Sequence, residues 1–199
     1  MNGKLHHYTA DTPDRIRVHI FLFIISTGLA LGLAILFNQF GIQPYWWIES
    51  PSIFGFYGIL FYFFNNYLWR VNYIRRIFFI ETPDLNGRYK GPLSSSYDDF
   101  QTSKTANYEI HQKWNKILIF SETSTSTSKS LAAAFWLSEV NKKSIVFNYQ
   151  NTPKADSAQT MNIHNGFADF YFDSSGTITG EFFNGRGRGT FGKVKLIKQ

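Results

Sequence analysis

The sequence predicts a membrane α-helical hairpin of two transmembrane helices, followed by an all-β domain that closes into a small antiparallel barrel of about eight strands. Three observations carry this reading. Two uncharged apolar stretches, 20–37 and 52–69, lie near the N-terminus. From 84 onward the chain breaks into short alternating runs separated by turn residues. Its 199 residues favour one soluble domain with a membrane appendage over two soluble domains.

Each apolar stretch is long enough to span a bilayer, because a helix rising about 1.5 Å per residue crosses a hydrocarbon core of about 30 Å in roughly 20 residues. Asp11-Thr-Pro-Asp14 supplies a helix start, with a capping side chain and a proline suited to the first turn. No small-residue cleavage site follows, and a second apolar stretch does, so the first helix is read as retained. Between the stretches, Tyr45, Trp46 and Trp47 beside Pro44 suit a headgroup layer. Cations flank the other ends: Arg15 and Arg17 before the first stretch, Arg70, Arg75 and Arg76 after the second. The excess of cations on the cytoplasmic side of spanning helices therefore predicts N- and C-termini in the cytoplasm. Gly28 and Gly32 open a small-residue face on the first helix, and Asn65 and Asn66 place amides near the end of the second; both features suit helix–helix association.

The expected organisation is an N-terminal transmembrane region with its juxtamembrane linker, 1–83, and a cytosolic β-domain, 84–199. Net charge divides between them without a basic block: six Lys/Arg against four Asp/Glu in the first part, fourteen against ten in the second. No DNA or RNA partner is expected from such a distribution. The chain has no cysteine, which removes disulfides, cysteine-ligated zinc and thiol nucleophiles.

Strands follow from period-two alternation over 108–114, and from runs near 116–124, 130–138, 143–150, 166–172, 177–183 and 189–197. Asn151-Thr-Pro153, Asp173-Ser-Ser-Gly176 and Asn184-Gly185 supply turns. A closed barrel of this size either fills its interior with side chains or holds one small ligand.

Enzymatic chemistry is not expected. The β-domain has two histidines, His111 on the charged face of its strand and His164 beside a glycine at a strand start, and no HExxH, GxSxG or P-loop pattern. No metal and no cofactor is expected. Binding groups are plentiful instead. The run 121–130 alternates serine and threonine, either as a flexible loop or as strand with hydroxyls inside the barrel; Ser126 and Ser128 are its candidates. Arg186 and Arg188, spaced by glycines, present guanidinium donors suited to phosphate. Arg88, Tyr89, Trp114, Tyr149 and His164 complete the candidate ligand-binding set, the aromatics as stacking surfaces for bases.

Two N-terminal spans, then LNGRYKGPLSSSY, Ile110-His-Gln-Lys-Trp114, the Ser/Thr run, Phe147-Asn-Tyr-Gln-Asn-Thr-Pro153, Met161-Asn-Ile-His-Asn-Gly166 and a glycine-rich final strand form a sequence of motifs. In this order the chain resembles the two-transmembrane, β-strand-rich effectors of CBASS antiphage systems. The resemblance implies an eight-stranded barrel that senses a cyclic dinucleotide made by a cognate nucleotidyltransferase. It further implies a homo-oligomer that forms through the membrane helices and disrupts the bacterial inner membrane, killing the infected cell. The alternative reading is a membrane-tethered, lipocalin-like carrier or sensor of a lipid or apolar metabolite, which requires an apolar lumen.

Overall fold

A computed structural model describes residues 3–41, 46–138, 142–159, 161–173, 175–185 and 188–199, with the backbone alone over 46–51. The chain divides into two units: Pro13–Glu81, and Met1–Thr12 together with Thr82–Gln199.

The first unit is helical. Helix α1, Asp14–Gln39, buries Val18, Leu22 and Ser26 and leaves Gly28 and Gly32 exposed, with no neighbour within 4 Å of a Cβ built on either glycine. Its first turn is tied to the end of the helical unit: the Asp14 carboxylate accepts from the Glu81 amide at 3.2 Å, and Arg17 reaches the Glu81 carboxylate at 3.5 Å. Helix α2, Trp46–Asn66, follows, with Asn66 turned back onto the Tyr62 carbonyl at 2.7 Å. Among the described residues one helix, α1, is long and apolar enough to cross a membrane, where the sequence predicts two. The first two turns of α2 fall at 46–51, so the expected placement of the Trp46 and Trp47 side chains lies outside the described residues.

The second unit is a closed barrel of nine strands, not eight: β1 (His6–Ala10), β2 (Gly87–Ser95), β3 (Ser103–Gln112), β4 (Lys116–Glu122), β5 (Ser126–Trp136), β6 (Ser144–Pro153), β7 (His164–Phe172), β8 (Thr177–Asn184) and β9 (Phe191–Lys198). They close in the order β1-β4-β3-β2-β9-β8-β7-β6-β5. The extra strand is β1, which precedes the first helix. It enters where β4 and β5 part: these two pair directly only from Phe120↔Lys129 to Glu122↔Thr127. Beyond that point β1 runs antiparallel to β4 through His6↔Ile117 and parallel to β5 from Tyr8↔Ala133 to Ala10↔Phe135. At the fork the Ser130 hydroxyl accepts from the Ile119 amide at 2.9 Å and meets His6 Nε2 at 2.7 Å, so a side chain continues the ladder where the backbone shifts register. A five-residue polar strand that buries only Tyr8 carries no alternating signal, which is why the sequence reading leaves it as a polar lead-in.

The barrel has two unlike ends. At one, β1 finishes and β2 begins, so both connections to the helical unit leave from the same end. Gln112 binds this end together: its Oε1 accepts from the Leu85 amide at 2.8 Å, and its Nε2 donates to the Pro83 carbonyl at 3.0 Å and to the Tyr8 hydroxyl at 3.3 Å. Tyr8 in turn donates to the Trp114 carbonyl at 2.8 Å. Above this floor Ile117, Phe135, Ile145, Phe170, Ile178 and Leu196 fill the lumen. Phe147 and Phe170 meet edge to face at 5.0 Å. The lower barrel is thus a packed core.

Candidate ligand-binding site

Toward the other end hydroxyls and amides join the apolar lining of the lumen. Strand alternation points Ser126, Ser128 and Ser130 of β5 inward while Thr127 and Lys129 alternate with them, and Ser121 of β4 stands opposite Ser128. The Ser/Thr run is therefore mostly strand: β4 extends through Glu122, a tight turn spans 123–125 with the Thr123 amide donating to the Ser126 carbonyl at 2.9 Å, and β5 resumes at once. The hydroxyls of Ser121, Ser126 and Ser128 form one wall of a cavity open at the barrel mouth, while that of Ser130 is taken up at the β1 fork. Asn151 of β6 completes that wall, its amide nitrogen donating to Ser126 and to Ser128, each at 2.9 Å. Its Oδ1 is buried with no hydrogen-bond partner among the described residues. Turning the amide over exchanges the atoms and still leaves one unpaired.

The facing wall comes from β6, β7 and the β8–β9 turn. Tyr149 donates to Asn184 Oδ1 at 3.0 Å, His164 Nε2 lies 3.1 Å from the same oxygen, and Asn184 Nδ2 donates to Thr190 Oγ1 at 2.6 Å. Tyr149 reaches this position because residue 166 is glycine: a Cβ there would lie 2.3 Å from Tyr149 Cζ. Burial pushes the Tyr149 hydroxyl well above the usual tyrosine range, with Tyr108 adding to the rise and the Arg188 charge opposing it. Tyr149 stays a neutral donor.

Charge is placed at the rim. Lys104, Arg188 and Asp98 line the mouth, and the Arg188 guanidinium sits 5.5 Å from the Tyr97 ring, joining the β8–β9 turn to the short helical turn Ser96–Asp98. The Thr102 hydroxyl, bonded to Asp98, holds that carboxyl below its ordinary value, with Lys104 contributing in the same direction.

Of the candidates named from sequence, Ser126, Ser128, Tyr149, His164 and Arg188 come together around this cavity. Three others lie elsewhere. Arg88 points outward and pairs with Glu109 at 3.6 Å. Tyr89 is buried in the floor, donating to the Leu85 carbonyl at 2.9 Å, and Trp114 is buried by the β3–β4 turn. Arg186 lies outside the described residues. His111 is half exposed beside Glu109, on the charged face expected for it. Sequence reasoning did not single out Asn151, Asn184, Lys104 or Thr190; the motif 147–153 contains the first of these without marking it. Among the described residues no cluster of three His, Asp or Glu is arranged to hold a metal.

A packed lower barrel with a cavity at its mouth that joins an apolar base to hydroxyls, amides and rim cations defines a β-barrel receptor domain for a small ligand with both polar and apolar parts. The chain belongs to the Cap15 family: residues 80–198 match the family model described as "Cap15, cyclic dinucleotide receptor domain". It is also similar to a "CD-NTase-associated protein 15" from Yersinia aleksiciae, 30% identical over 145 residues that cover 72% of this chain and 68% of the relative.

Proposed function

We propose that this chain is a membrane-anchored CBASS effector whose barrel cavity takes a cyclic dinucleotide, and whose occupied form assembles through α1 and α2 and disrupts the bacterial inner membrane. The observation that carries the reading is the cavity's chemistry. Hydroxyls at Ser121, Ser126 and Ser128 and the cations Lys104 and Arg188 suit a ligand with two phosphates, while the unpaired amide atom of Asn151 awaits a base edge or a ribose hydroxyl. An apolar metabolite would leave these groups unpaired, so the hydroxyls, amides and cations within the mixed lining favour the nucleotide over the lipocalin-like alternative.

Both helices are proposed to span, with the termini and the barrel in the cytoplasm. The exposed Gly28 and Gly32 face and the amides at Asn65 and Asn66 offer surfaces for association between copies. For ligand to act as the trigger it must bind the assembled state more tightly than the resting one. Purified full chain in dye-loaded vesicles tests this: leakage is expected on adding a cognate cyclic dinucleotide. Leakage that is unchanged by every cyclic dinucleotide tried contradicts the proposal.

A further inference from the structure

We propose that the outer face of β8 and β9 docks against the same face of a second copy of this chain, about a two-fold axis parallel to these two strands and between them. The outward side chains there form rows. Nearest the mouth, Phe167 pairs in register with Phe183 and Phe183 with Phe191, and Phe100 continues the row with its ring 5.7 Å from that of Phe191. All four are exposed, Phe183 at 47% and Phe191 at 50%. Four adjoining exposed aromatics, three on one sheet face and Phe100 on the turn beside it, mark an interaction surface. In the next row Glu181 stands opposite Lys193.

The order of these side chains specifies the occupant. A two-fold axis between β8 and β9 lays Phe183 on Phe191 of the second copy, Phe167 on Phe100, and Glu181 on Lys193. Aromatic meets aromatic and acid meets base, which is the self-complementarity an isologous contact requires. That axis inclines the two barrels equally and keeps the same end of each on one side, so the chain connections at 12–13 and 81–82 of both copies leave on that side, as anchoring in a single bilayer demands. The row lies at the opposite end of the barrel from those connections, which makes a lipid surface the poorer fit. Phe183 and Phe191 also flank the turn that carries Asn184, Arg188 and Thr190, so a ligand in the cavity would touch the segment that joins the two halves of the face. That last link rests on the proposed ligand; the contact surface does not.

The test uses full-length chain in detergent, with association followed by sedimentation and by co-purification of two differently tagged copies. Glu181→Lys and Lys193→Glu face away from the cavity, and each alone is expected to weaken association about tenfold by setting like charges against each other. An equal mixture of the two variants should regain wild-type association, because every contact between unlike copies then pairs Lys with Glu. A purely intrachain role cannot produce that rescue. Single variants that associate as wild type does, or a mixture no better than its components, overturn the proposal. So does unchanged association in Phe183→Ser, which would assign the aromatic row to another occupant such as lipid. Titration of the same variants with cyclic di-AMP and cyclic di-GMP separates the two claims: loss of association with binding intact supports this face, whereas absence of binding in the wild-type chain counts against the receptor reading alone.

Discussion

Tyr149 donates its hydroxyl to Asn184 Oδ1 at 3.0 Å, and this bond joins β6 to the end of β8 across the mouth of the barrel. The same oxygen stands 3.1 Å from His164 Nε2, so one amide orients two side chains of the cavity wall. Replacing Asn184 with alanine frees both. Because each of the two lost hydrogen bonds costs about 1 kcal/mol, cyclic dinucleotide affinity is expected to fall by up to about thirtyfold while the barrel remains folded, checked by titration calorimetry beside circular dichroism.

Gly166 makes that arrangement possible, and a side chain there has nowhere to go. A Cβ would meet Tyr149 Cζ at 2.3 Å and the Phe183 carbonyl oxygen at 2.6 Å. Gly166→Val is expected to destabilise the barrel by about 1–3 kcal/mol and to displace Tyr149. Urea unfolding followed by tryptophan fluorescence reads the first effect, and lowered ligand affinity reads the second.

Alkaline pH should unfold the barrel through its tyrosines. Burial pushes Tyr108 up to about 12, opposed by a bond from Ser121, and burial pushes Tyr89 to about 12, with the Asp84 charge adding to it. The unfolded chain ionises its tyrosines near about 10 while the folded one keeps these protons. Their contribution is therefore complete below about pH 10 and is lost as pH rises toward 12. A pH series of melting temperatures should fall in that window, and less steeply in Tyr108→Phe. A flat profile from 9 to 12 would contradict this assignment.

How much of this could be seen in the sequence differs between the two directions of the barrel. Period-two alternation separates inside from outside, and it placed the strands from β3 to β9 to within a few residues, apart from the longer N-terminal parts of β3 and β5. It says nothing about height along the lumen. Tyr89 and Tyr149 are both inward aromatics, yet one seals the floor and the other lines the mouth. The Ser/Thr run was legible because hydroxyls at 121, 126 and 128 break an otherwise apolar inner face. Asn151 and Asn184 were not, since single amides at strand ends look like turn residues until the fold turns them inward. Strand β1 was missed for a related reason: its partners lie more than a hundred residues away, and its pairing is bought by Tyr8 and the Asp11 carboxylate, which accepts from the Leu137 amide at 2.8 Å, rather than by any pattern of its own.

The membrane unit gives a further test. Gly28 and Gly32 are exposed with open space above them, so bulky replacements fit within one chain. Gly28→Leu with Gly32→Leu should still insert and bind ligand but lose vesicle leakage, because two backbones can no longer approach. Normal leakage from this variant would remove that face from the assembly.

The central claim is that the barrel mouth binds a cyclic dinucleotide through Arg188 and the β5 hydroxyls. Calorimetry of detergent-solubilised full chain against a panel of cyclic dinucleotides tests it most directly, with Arg188→Ala and Ser128→Ala measured beside wild type. Wild type should bind at least one member of the panel. Arg188→Ala should bind about ten- to a hundredfold more weakly, as loss of a charge-assisted contact implies. Absence of heat with every member, or binding that both variants leave untouched, would contradict it.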